Sequence, residues 1–233
     1  MRQFWGRLVF ASLLAAIFLP AHAAFAAGDL KATLTRLDAA AARFHTSSAV
    51  FEFDSVQTDP VPDKDVQTGV VYYRRSGSSF QMGIHIDTDN GDKIVKTIVC
   101  CQGGSVKLYE QRLNEVTVLN KLNQYESWFM LGFGASGKEL AEKWNIADDG
   151  PETVNGVRTE KLEMVPKDPA VLRNVPKVTL WMDLERGVSI KQVFDEGPGQ
   201  SRVALYSNIK MNQSLPSDAF TLKTNKKTTF VTR

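Results

Sequence analysis

Residues 80–101 read FQMGIHIDTDNGDKIVKTIVCC. Phe80, Met82, Ile84 and Ile86 alternate with Gln81, Gly83, His85 and Asp87, so an extended chain here carries one oily face and one wet face. Asn90-Gly91 supplies the pair of residues that a type I′ hairpin turn requires, and Lys93 to Cys101 is the returning strand. A hairpin apolar on one side only decides the fold class, because that side must be covered by a second sheet or by helices.

The same period extends in both directions. Upstream, Ala49, Phe51 and Phe53 alternate with Val50, Glu52 and Asp54, and Gly69, Val71, Tyr73 and Arg75 alternate with Val70, Tyr72 and Arg74. Before them, DLKATLTRLDAAAARF at 29–44 sets Leu30, Leu34, Leu37, Ala41 and Phe44 on one helical face, with Asp29 as the N-cap. Downstream, strands are expected at Ser105 to Glu110 and Glu115 to Leu119. A helical interruption follows, in which Ser127 caps Trp128 to Leu131 and Ser136 with Glu139 forms a capping box ahead of Leu140 and Trp144. The strand pattern resumes with a hairpin at Asn155-Gly156 and continues through Val178 to Leu184, Val188 to Phe194 and Arg202 to Ile209, with reversals at Gly187 and Gly197-Pro198-Gly199. The pattern predicts an α+β fold, mainly antiparallel β: a strongly curved half-barrel sheet with a lid of short helices.

The first residues address the chain. Arg2 and Arg7 precede an apolar run of twelve, Leu8 to Leu19, and Ala21-His22-Ala23 and Ala24-Phe25-Ala26 both offer small residues at cleavage spacing. The run falls short of the ~20 residues of a membrane-spanning helix. Residues 1–26 are therefore expected to be a signal peptide, cleaved after Ala23 or Ala26, and residues 27–233 one exported, soluble domain. No Cys sits at either junction, so no lipid-anchored N-terminus is expected. Without Arg2 and Arg7 the chain holds 26 basic and 26 acidic residues, a balance that gives no field for steering to nucleic acid.

Cys100 and Cys101 are the chain's two cysteines and are adjacent. A vicinal disulfide closes a strained ring, so two small half-buried strand residues are the expectation. Beyond the leader only His45 and His85 remain, with no ligand-spaced acids or cysteines around them, so neither metal nor cofactor is expected. The chain lacks G-x-S-x-G, H-E-x-x-H, a P-loop and the dinucleotide-binding glycine pattern, and no enzyme is expected, although a carboxylate pair stays open among so many acids.

In order and spacing the elements resemble the outer-membrane lipoprotein carrier proteins, LolA, and the wider LolA/LolB-like fold. RLDAAAARFHTSSAVFEF at 36–53 resembles the carrier's first helix running into its first strand. GVVYYRRSGSSF at 69–80 is similar to its strand ending in an Arg-Pro turn, with Ser76 where the family has Pro. TIVCCQGGSVKLYE at 97–110 resembles its strand-turn-strand, with Gln102 at the turn's Asp. EKLEMVPKD at 160–168, and the strands from Lys177 to Lys223 ending in an Asp-x-Phe pattern, resemble the closing half.

The resemblance implies a periplasmic monomer that carries acylated lipoprotein, or other lipid cargo, from an inner-membrane donor complex to an outer-membrane acceptor, in an apolar cavity under a helical lid. By strand parity and resemblance, Phe51, Phe53, Phe80, Met82, Ile84 and Val99 would line the cavity from the sheet, with Phe44, Phe129 and Met130 from the helices. Arg75 shares the parity of Val71 and Tyr73, and is expected to control the lid by bonding its backbone carbonyls. The same half-barrel resembles the lipid-sensing region of the RseB/MucB regulators. Those carry a second domain, so a mature length near 207 residues favours the carrier.

Overall fold

The computed structural model describes residues 28–77, 79–102, 104–120 and 131–233; the leader expected at 1–26, and Phe129 and Met130, lie outside them. Helix α1, Leu30–Ala41, begins where the Asp29 carboxylate accepts the Ala32 N–H at 3.1 Å. A first meander follows: β1 Thr46–Gln57, β2 Asp63–Ser76, β3 Ser79–Asp89, β4 Asp92–Gln102, β5 Ser105–Glu110 and β6 Glu115–Leu119. After α2, Gly137–Lys143, come β7 Trp144–Val154 and β8 Val157–Pro166, a single turn α3 at Pro169–Leu172, then β9 Lys177–Asp183, β10 Val188–Gly197, β11 Gln200–Met211 and β12 Thr229–Thr232. Among the described residues no helix is long and apolar enough to cross a membrane.

The twelve strands form one curved, unclosed sheet in the order β12-β6-β5-β4-β3-β2-β1-β11-β10-β9-β8-β7. The two meanders join through β1 and β11, where Phe51 faces Tyr206 and Phe53 faces Ala204. Neighbours are antiparallel except β12, which runs parallel to β6 with Phe230 beside Val116. Both Asn-Gly hairpins form as expected: Asn90 and Gly91 have φ of 50° and 85°, and Asn155 and Gly156 have 49° and 77°. The capping box is present too, with the Ser136 hydroxyl accepting from the Glu139 N–H and the Glu139 carboxylate from the Ser136 N–H.

Two clusters fill the concave side. Over β7–β9 the cover is regular: Leu37 of α1 and Leu140 of α2 pack on Leu162, Met164, Val178, Leu180 and Met182. The helices are fastened to each other by Asp38, which accepts the Lys138 N–H at 3.0 Å. Over β1–β5 the cluster is more aromatic, holding Phe44, Phe51, Tyr73, Phe80, Met82 and Phe133.

Three expectations need correction. The second face of β3 is only partly wet: residues 213–228 cross it as a strap. The Ala219 carbonyl lies where a Cβ on Gly83 would be, 1.8 Å from it, so only glycine admits the strap at this point. Arg74 lies over the Phe220 ring at 4.5 Å, and Asn114 at the β5–β6 turn bonds Thr228 at 2.8 Å. Val99 belongs to this outer face rather than to the cavity, because it pairs with Gly83 while Cys100 pairs with Met82 and joins the interior cluster. Finally, Cys100 is buried and disulfide-bonded. The β4–β5 register slips between Cys100 and Gln102.

Candidate functional site

The aromatic interior is assembled from alternate residues of several strands. Phe51 on β1, Tyr73 on β2, and Phe80 and Met82 on β3 are buried there, while Phe53 and Ile84 are partly buried and packed against the same cluster. Phe44, just past α1, closes it from the helical side. Of the expected lining, these six stand together, Val99 does not, and Phe129 and Met130 lie outside the described residues.

Among the described residues, a loop fills the centre. Phe133 is fully buried, stacked on Tyr73 with ring centroids 4.3 Å apart and edge-on to Tyr206 at 4.8 Å. Its neighbours Gly132 and Gly134 have φ of 79° and 73°, which lets the segment fold inward and back within three residues. Backbone bonds hold it against β10: the Ser189 N–H donates to the Gly132 carbonyl at 2.7 Å, and the Gly134 N–H to the Gly187 carbonyl at 3.3 Å.

Polar atoms are embedded in this apolar interior. Gln192 on β10 is 3% exposed, its Nε2 donating to the Leu131 carbonyl at 2.8 Å and its Oε1 accepting from the Tyr206 hydroxyl at 3.4 Å. The Tyr73 hydroxyl donates toward the Tyr206 oxygen. Burial pushes both phenols above their ordinary values; the bond from Tyr73 works against that rise at Tyr206. Ser47, fully buried between Tyr73 and Met211 on β1, has a hydroxyl that finds no hydrogen-bond partner among the described residues.

Arg75 sits at the rim. Its backbone N–H donates to the His45 carbonyl at 2.8 Å, and its guanidinium meets the Glu139 carboxylate of α2 at 3.3 Å. The partner among the described residues is thus a side chain of the second helical segment, not the backbone carbonyls expected. Burial alone would raise the Glu139 carboxyl, but the Ser136 N–H and hydroxyl and the Arg75 guanidinium outweigh it and hold the carboxyl below its usual value.

Sequence reasoning missed Phe133, Tyr206 and Gln192. The available signal was LGFGAS at 131–136, an aromatic residue between two glycines, a pattern that fits a chain turned sharply inward. An open depression of about 650 Å³ on the far side of β9 and β10, lined by Lys177, Thr179, Val193 and Asp195, shares no residue with the aromatic cluster.

No family model matches the chain. An uncharacterised protein of Methanocaldococcus jannaschii is 24% identical over 123 residues, 53% of this chain and 34% of that protein, so the chain spans about a third of that curated relative. Among solved structures, MucB is similar at a TM-score of 0.51 and 15% identity, over 83% of this chain and 62% of that one. The Mycobacterium tuberculosis lipoprotein LppX is similar at 0.48 and 14%, over 81% and 98%, and a LolA superfamily protein from Nitrosomonas europaea at 0.39 and 15%, over 84% and 98%. The curved open sheet with short helices laid over its concave side is a LolA-like half-barrel.

Proposed function

We propose that this protein is a periplasmic carrier which takes the acyl chains of lipoproteins, or related lipids, into the aromatic interior of its first meander and delivers them toward the outer membrane. The observation that carries the reading is Phe133, a ring inserted among Tyr73, Tyr206 and Phe44 by a glycine-flanked loop instead of by the sheet. A core built for stability alone could take such a ring from the sheet itself. Each methylene transferred from water contributes about 0.8 kcal/mol, so a long acyl chain gains on the order of 10 kcal/mol and can displace one phenyl ring. Phe51, Phe53, Phe80, Met82 and Ile84, with Phe44, would then contact the cargo.

Release needs a closing force, and the Arg75–Glu139 pair joins the end of β2 to α2, where closure would occur. In this reading the chain arrives by a cleaved signal peptide, acts as a monomer, and meets an inner-membrane donor and an outer-membrane acceptor. A photo-crosslinker at Phe80 or Met82 is expected to capture lipid or lipoprotein, and one at Gln81 on the other face is not. Equal capture from both faces, or no acyl compound among the lipids that copurify, rejects the carrier. Arg75→Leu is expected to load cargo but hand it over more slowly; transfer at the parent rate makes Arg75 an ordinary rim residue.

The likeness to MucB, which has been solved in complex with MucA, favours a second reading as a lipid-responsive interaction module. Cargo that stays bound while a protein partner is recruited would select that reading.

A further inference from the structure

Gln192 is buried, hydrogen-bonded at both ends of its amide, and set against a largely apolar, aromatic interior. A side chain of this kind is costly in such a place unless its donors are met. What meets it is a carbonyl from the loop. The Leu131 oxygen approaches because Gly132 carries no side chain; a Cβ there would stand 2.3 Å from the Gln192 Nε2. Two residues further on, the Phe133 ring occupies the slot between Tyr73 and Tyr206. The loop therefore presents to the interior a carbonyl oxygen joined to a bulky apolar group. An acyl ester or amide presents the same pair: a carbonyl at the head of a hydrocarbon tail.

We infer that Gln192, backed by the Tyr206 hydroxyl, is the anchor for the carbonyl of an acyl ester or amide, and that Leu131 and Phe133 stand in for the cargo when the protein is empty. The inference rests on the carrier reading and names the chemistry of its site. Once cargo displaces residues 131–134, the Gln192 N–H loses its acceptor. A hydrocarbon tail with no carbonyl leaves that donor buried and unmet, whereas an ester or amide oxygen replaces the Leu131 carbonyl. The Ser47 hydroxyl, without a partner among the described residues, is a second polar atom available to a cargo head inside the half-barrel. The anchor thus selects for acyl groups over alkyl groups of equal length.

The test compares 1-acyl lysophosphatidylcholine with its 1-O-alkyl ether analogue of the same chain length. The two differ in the carbonyl oxygen at the head of the chain, and both are titrated as monomers against the full-length mature protein. The acyl compound is expected to bind about tenfold more tightly, the usual consequence of leaving one buried donor unsatisfied. Gln192→Leu is expected to bring the ratio of the two affinities to about one, whatever it does to loop closure, because closure acts on both ligands alike. Tyr206→Phe is expected to lower the ratio by less. Equal affinities in the parent protein overturn the anchor and leave the carrier standing. Failure of both compounds to bind overturns the carrier reading and the anchor with it. The parent ratio decides even if Gln192→Leu does not fold.

Discussion

One sheet here lines two interiors of different make. Over β7–β9 the filling is largely aliphatic, Leu162, Met164, Val178 and Leu180 are fully buried, and the roof consists of two regular helices. Over β1–β5 and the adjoining β10 and β11 the filling is more aromatic, hydroxyls and the Gln192 amide sit among the rings, and the roof among the described residues is a loop whose Gly132 carbonyl and Gly134 N–H bond the backbone of Ser189 and Gly187. Aliphatic side chains under helices interdigitate and lose energy when any one is removed. Flat rings under a loop can part along their faces and take in another flat or extended group. The first arrangement resists opening; in the proposed carrier reading, the second is the one whose centre cargo would occupy.

The sharpest way to break this contrast is to empty each interior in turn. Phe133→Ala is expected to cost about 3–5 kcal/mol and Leu180→Ala about 2–5 kcal/mol, read from denaturant unfolding. A monomeric lysolipid should restore most of the loss in the Phe133 variant, because it refills the space, and none in the Leu180 variant. Equal rescue, or rescue in neither, would make the two interiors the same kind of core.

A milder test concerns the strap that covers the outer face of the first meander. Gly83→Ala places a methyl group against the Ala219 carbonyl and should cost about 1–3 kcal/mol as the strap shifts outward. Limited proteolysis is expected to cut residues 213–228 faster in this variant while β7–β9 keep their amide protection. Unchanged cleavage would mean that the strap does not depend on this close approach.

The smallest effect is expected at the rim. Half of the Glu139 side chain is exposed, so its pair with Arg75 is well screened, and Glu139→Gln should cost no more than about 1 kcal/mol at neutral pH. The carboxyl is held below its ordinary 4.5, so its contribution is complete above that pH and is lost as the pH falls through the lowered folded value. Stability curves of the parent and Glu139→Gln are therefore expected to differ at pH 7 and to converge in acid. A gap that persists at pH 3 would assign the difference to something other than the ionised carboxylate.

What could be read from the sequence was local. The apolar set Phe80, Met82, Ile84 and Ile86, the two Asn-Gly turns and the Ser136–Glu139 capping box each depend on residues a few positions apart, and each forms as read. Val99 was misread because β4 is apolar at both parities, with the pairs Ile94-Val95 and Ile98-Val99 on either side of Lys96-Thr97. With apolar residues at both parities, the inner set is fixed by pairing with β3 rather than by the strand's own pattern. The strap escaped notice because residues 213–228 have no period, and its packing on β3 is set by Gly83, far away in sequence. Phe133 escaped because an aromatic residue between glycines reads as a turn, while its burial depends on β2, β10 and β11 meeting around it.

The strap also sets a timetable. Its residues follow β11 in the sequence, yet the strip they cross, from Gly83 and Val99 to the β5–β6 turn, belongs to strands made more than a hundred residues earlier. β1 likewise waits for β11. Contacts this distant in sequence form late, since each must close a long loop before it is rewarded. The first meander is thus synthesised first and completed last, so synthesis and consolidation run in opposite directions along this chain.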